Sequence, residues 1–199
     1  MVKTVGRPPR SEDEIIRFRQ KIAAAALAIY KEEGFEAVSM RRLSRDVGCS
    51  ATTLYAHFDG KTEILMQLWD HILAEMGDEI LKRLTDVSDP LERLKTAAIA
   101  FVTYWVENPD HFRLVFMSND VSRPNVDAFL TDTGTEAQFQ IFRKLVGDVM
   151  GGGAGGVGRR ADGLISSLIG ACLCYNTIRN HPWPEPETMV DQILDGVAR

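Results

Sequence analysis

The stretch from Val38 to Phe58, "VSMRRLSRDVGCSATTLYAHF", constrains the fold more than any other part of the chain. Ser39 stands where a helix N-cap is needed, and Met40, Leu43 and Val47 follow at the spacing of one helical face. Gly48 can take the left-handed conformation at no steric cost, so it ends that helix, and Ser50 caps the next. Val38 with Leu43, and Cys49 with Leu54, hold the two positions of a hydrophobic staple. Two short capped helices joined by Gly48-Cys49-Ser50 predict a helix-turn-helix, whose second helix enters a DNA major groove. Leu54 and Phe58 then point inward, while Ala51, Thr52, Thr53, Tyr55 and His57 face out.

Helical periodicity continues on both sides of this motif, with no convincing period-2 alternation, and predicts an all-α chain. Ile15, Phe18, Ile22, Ala25/Ala26 and Ile29 form one stripe that stops at Gly34. A helix beginning near Lys61 carries Ile64, Leu65, Leu68, Ile72, Met76 and Ile80 along one side. Asp89-Pro90 opens another that runs to Asn108, and Pro109 starts a short one with Phe112, Val115 and Phe116. Further helices are expected near 135–149 and 161–179, and a last one follows the turn "HPWPEP". The expected organisation is a flexible basic arm over 1–11, a three-helix DNA-binding domain over 12–60 and a helical C-terminal domain over 61–199.

Two apparent nucleotide motifs fail on inspection. Gly60-Lys61-Thr62 ends like a phosphate loop, but the glycine required five positions earlier is Tyr55. "GGGAGGVG" at 151–158 matches G-x-G-x-x-G, yet no strand precedes it, and it reads as a linker. Neither "AAIAFVTYWV" nor "LISSLIGACLCY" is long enough to span a bilayer, and no secretory signal is visible. Three cysteines make no disulfide framework, and His71, His111 and His181 show no metal spacing with them. A reduced cytoplasmic protein without metal, cofactor, membrane attachment or enzymatic activity is expected.

The net charge of −5 hides an asymmetry. Residues 1–62 hold 11 Lys+Arg against 8 Asp+Glu, so a basic N-terminal third precedes an acidic body. Small residues at the start of the second helix let its backbone approach base edges, and a threonine offers both a hydroxyl and a methyl. Arg41, Ala51, Thr52 and Thr53 are therefore the expected base-reading residues. Lys61 opposes the positive end of its helix dipole, which makes sense if an anion binds there. With Ser39, Tyr55 and His57 it is expected to grip the DNA phosphate backbone. Gly6-Arg7-Pro8 resembles the core of an AT-hook, which would place Arg7 and Arg10 in an A·T-rich minor groove.

From "RQKIAAAALAIYKEEGFEAVSMRRLSRDVGCSATTLYAHFDGKTEIL" the chain resembles the DNA-binding domain of the TetR family of transcriptional regulators. Ala26, Gly34-Phe35, Ser39-Met40-Arg41, Val47-Gly48-Cys49-Ser50, Leu54-Tyr55-Ala56-His57-Phe58, Lys61 and Leu65 fall on that pattern, with Cys49 replacing a commonly small or β-branched residue. The resemblance implies a homodimer on a palindromic double-stranded operator, most often a repressor released by a small-molecule effector. It implies an effector pocket in the body, for which Phe101, Tyr104, Trp105, Phe112, Phe116, Met117 and Phe139 are the candidates. "ENPDHFRLVF" at 107–116 resembles a helix break of one set of family C-terminal domains. Gly163, Ser167, Gly170, Ala171 and Cys174, with Phe142 and Val146 opposite, are the expected dimer face. A regulator of the same fold without a small-molecule switch is the alternative.

Overall fold

The computed structural model describes residues 11–117, 134–152 and 155–197. The protein is all-α, and no strand occurs among the described residues. Two compact units divide between His71 and Ile72.

The first unit begins with α1, Glu12–Glu33, at a full capping box. The Ser11 hydroxyl accepts from the Glu14 amide at 3.3 Å, and the Glu14 carboxylate accepts from the Ser11 amide at 3.0 Å. Ile22, Ala23, Ala26 and Ile29 are its buried face, and Gly34, at φ 81°, ends it. After a 3₁₀ turn at Phe35–Ala37 come α2, Met40–Val47, and α3, Ala51–Tyr55. Ser39 and Ser50 cap these helices, as their spacing predicts, each accepting from the amide three residues on. Gly48 sits in the left-handed region at φ 75° and ψ 38°. Leu43, Leu54 and Phe58 are buried among the residues of this unit. Then α4, Lys61–Arg83, starts in the first unit and ends in the second.

The second unit is organised around α5, Pro90–Glu107. Its buried residues, Leu94, Ala97, Ala98, Ala100, Phe101, Val102, Tyr104 and Trp105, occupy more than one face, which makes it a central rather than an amphipathic helix. The apolar run "AAIAFVTYWV" is thus a core helix. Pro109 lacks the amide that would continue it, and α6, Pro109–Phe112, passes into a π turn at Arg113–Met117. The remaining helices are α7, Gly134–Val149, α8, Val157–Thr177, and α9, Pro186–Val197, all packed on α5. Helix α8 starts four residues earlier than its apolar pattern indicates, because Gly156 turns the chain at φ 90°. Asn176 donates to the carbonyls of Trp105 and Cys172, fastening the end of α8 to the end of α5. No described helix is long and apolar enough to cross a membrane.

Candidate nucleic-acid interface

Adjacent arginines on α2 have opposite surroundings. Arg42 makes two 2.6 Å hydrogen bonds to the Glu33 carboxylate and a third, 3.3 Å, to Asp46. The bond from Arg42 holds the Glu33 carboxyl below its ordinary range, and that from Arg45, followed by that from Arg42, does the same for Asp46. Arg42 is raised in turn, mainly by Glu33. Arg41 is exposed, and its guanidinium has no ion pair among the described residues. The fork of Arg41 is thus available to a base edge or a phosphate, while Arg42 ties α2 to the end of α1.

Helix α3 exposes Ala51, Thr52 and Tyr55 of the outward set expected, while Thr53 and His57, the latter beyond its end, are half-buried. Ala51 and Thr52 are exposed, Tyr55 is 55% exposed, and Leu54 beneath them is fully buried. Thr53 is half-buried, with its hydroxyl 2.8 Å from that of Ser50, so its methyl is the freer half of the side chain. The His57 ring leans on Phe18 at 4.9 Å between centroids. Half-buried Lys61 is the first residue of α4, and exposed Ser39 is spent on capping the Arg42 amide at 3.3 Å. Arg7 and Arg10 lie outside the described residues.

One group at this surface escaped sequence reasoning. Arg19 on α1 donates to the His57 carbonyl at 2.6 Å, to Glu63 at 2.7 Å and to Gln67 at 3.1 Å. Its guanidinium also lies 4.5 Å from the centre of the Phe58 ring. The other Glu63 oxygen accepts the Asp59 amide at 2.7 Å. The partners lie 38 to 48 residues away in sequence, beyond the reach of local spacing. The one visible signal was a charge three residues before Ile22, at the edge of the apolar stripe.

In the second unit the expected pocket residues separate. Trp105 meets four rings: Phe101 at 6.1 Å, Tyr104 at 5.2 Å, Phe112 at 5.9 Å and Phe116 at 5.1 Å. Phe101 also meets Phe142 edge-on at 5.7 Å. Phe101, Tyr104, Trp105 and Phe112 are buried, Phe139 is half-buried, and Phe116 and Met117 are exposed. The Trp105 Nε1 is buried without a hydrogen-bond partner. Tyr104 shares a 2.8 Å hydrogen bond with His111 Nδ1, and burial, followed by Glu75, pushes its phenol up. It also borders a cleft of about 380 Å³ with Glu75, Asp78 and Glu107. On the expected dimer face, Phe142, Val146 and Ala171 are already buried within the single chain. Gly163, Ser167 and Gly170 are exposed and Cys174 is half-buried, so these four remain open to another surface. Burial pushes the Cys172 thiol up, away from the reactive thiolate. Among the described residues no group of three or more His, Cys, Asp or Glu could hold a metal ion.

Residues 22–68, which contain the whole motif from α1 to the first turns of α4, match the family described as bacterial regulatory proteins, tetR family. Over these residues the chain is similar to the TetR family. Similar curated proteins include the HTH-type transcriptional activator FasR of Mycolicibacterium smegmatis, 26% identical over 69% of this chain and 62% of that protein. The HTH-type transcriptional regulator HbdR of Aromatoleum is 24% identical over 76% of this chain and 65% of its own length. The chain therefore spans less than two thirds of either relative. Among solved structures, Thermus thermophilus FadR, a TetR-family repressor in complex with lauroyl-CoA, superimposes with a TM-score of 0.66. It is 14% identical, with 90% of this chain and 93% of that one covered, a likeness of fold.

Proposed function

We propose that this protein is a TetR-family, sequence-specific DNA-binding transcriptional regulator. The observation that carries the reading is the polar outer face of α3 over buried Leu54 and Phe58, with an unpaired Arg41 beside it. Arg41, Ala51 and Thr52, with the Thr53 methyl, are the base-reading set, and Tyr55, His57 and Lys61 grip phosphates. Ser39 supports them by capping α2. Two copies, meeting on the open face of α8 at Gly163, Ser167 and Gly170, would set their recognition helices about 34 Å apart on a palindrome. Selection from a random DNA pool should recover that palindrome. Titration against it should then show an affinity falling steeply with salt. A pool that returns no enriched sequence would remove the reading.

In this proposal the protein is a repressor, and a small-molecule effector bound in the second unit releases it from the operator. Helix α4 is the covalent link, since its chain starts in one unit and ends in the other. Effector and DNA would then weaken one another by the same factor. The lauroyl-CoA held by FadR makes acyl-CoA thioesters the first ligands to try. The ring packing that leaves Trp105 fully buried favours a second reading, a regulator with no small-molecule switch. Thermal-shift and operator titrations across an acyl-CoA series decide between the two.

A further inference from the structure

We infer that Arg19 is a positioning residue for DNA binding, which sets the pose of the phosphate grip without itself touching DNA. The inference rests on the DNA-binding reading above. Arg19 reaches from α1 into the junction between the recognition helix and α4, where its three nitrogens meet three acceptors on two pieces of chain. One is the His57 carbonyl, just after α3. The second is Glu63, on the first turn of α4, and the third is Gln67, one turn further on. The proposed phosphate ligands Tyr55, His57 and Lys61 belong to these same pieces of chain.

The geometry explains why a lysine would not serve. A guanidinium presents its donors in a fixed planar fork, so satisfying two of them dictates the direction of the third. Arg19 therefore holds the His57 backbone and the start of α4 in a fixed relation, and the Phe58 ring beneath supports the plane of the fork. Glu63 completes the arrangement by receiving Arg19 on one oxygen and the Asp59 amide on the other. Three of its five N–H donors are engaged inside the unit, one on each nitrogen, and its side chain is only 30% exposed, so Arg19 is poorly placed for a further bidentate pair with a phosphate.

The test uses the full chain and DNA selected by the wild type, with R19Q, R19K and E63Q compared. Binding is titrated over a series of salt concentrations, and far-UV circular dichroism with thermal melts establishes folding. Arg19→Gln should weaken binding about tenfold or more on every sequence tried. It should also lower the salt slope by about 1 to 2, because one or two phosphates are no longer gripped. Arg19→Lys should fall between the two. Glu63→Gln is the deciding variant. It removes a negative charge near DNA, so it would tighten binding if Arg19 were itself a phosphate ligand and thereby released. On the present inference it weakens binding, and R19Q with E63Q together cost little more than either alone. Tighter binding by E63Q, or an R19Q salt slope equal to that of the wild type at temperatures where both are folded, would overturn the inference and leave the DNA-binding reading standing. A wild-type chain that selects no DNA would remove both.

Discussion

The two units of this protein use their sequences in opposite ways. In the first, short helices are held by caps and ion pairs, and the side chains proposed to act are those left over: Arg41 beside a pinned Arg42, Thr52 and Tyr55 above a buried Leu54. In the second, the side chains that looked most chemical are consumed by one another, as Trp105 is by its ring neighbours. In the first unit the residues that hold the fold are thus distinct from those proposed to act. In the second the residues expected to line a pocket are themselves the packing, so that a change to one would disturb the fold.

The largest test of this contrast is Trp105→Ala. Truncating a fully buried indole amid a cluster of rings should cost about 3–5 kcal/mol of stability, read as a lower denaturant midpoint. If stability barely moved, the cluster would contain room to spare and would be a pocket rather than packing. Arg41→Ala should do the reverse in the first unit. It should discriminate less at one base position, by about 1–3 kcal/mol, and leave the melting curve within the usual range for a surface change. Lys61→Ala should instead weaken all sequences alike and lower the salt slope by about 1, the share of a single phosphate. A change in base preference from Lys61→Ala would mean that a backbone role had been given to the wrong residue.

A smaller effect is expected where the two short helices are set. Ser50→Ala removes the acceptor for the Thr53 amide and should cost about 1 kcal/mol. Gly48→Ala should cost a similar amount through backbone strain alone, because nothing lies within 4 Å of an added Cβ. If that substitution instead disrupted packing, the turn would be more crowded than its geometry shows.

What could be read from the sequence follows the same division. Caps, stops and staples act over three or four residues, so Ser39, Gly48 and Ser50 announced α2 and α3 in plain text. The orientation of α3 followed from Leu54, with Phe58, three residues past its end, buried as well. The Arg19 network was invisible because it joins residues far apart in the chain, and no local pattern encodes which carbonyl a guanidinium will find. In the body, periodicity identified α5 but could not tell a ring facing a ligand from a ring facing another ring. Phe142 shows the difficulty: its spacing suits an outward dimer face equally well, and only the packing of α7 on α5 buries it against Phe101.

The mildest effect expected in the second unit is a dependence on alkaline pH. Tyr104 and Cys172 are both raised by burial above their ordinary values of 10.0 and 9.0, which means that the folded chain holds their protons more tightly than the unfolded chain does. Their contribution is therefore fully present below those ordinary values. It is lost as pH rises, because the unfolded state deprotonates first and is favoured. The melting temperature should be insensitive to these two groups near neutrality and decline once pH passes about 9 to 10. Tyr104→Phe loses the bond to His111, so it should start below the wild type at neutral pH. It has no phenol to ionise, so its alkaline decline should be shallower and the two curves should converge. Parallel curves would show that Tyr104 is no more protected from ionisation than in the unfolded chain. The second unit would then be more open to water around the end of α5 than the burial of Tyr104 and Trp105 implies.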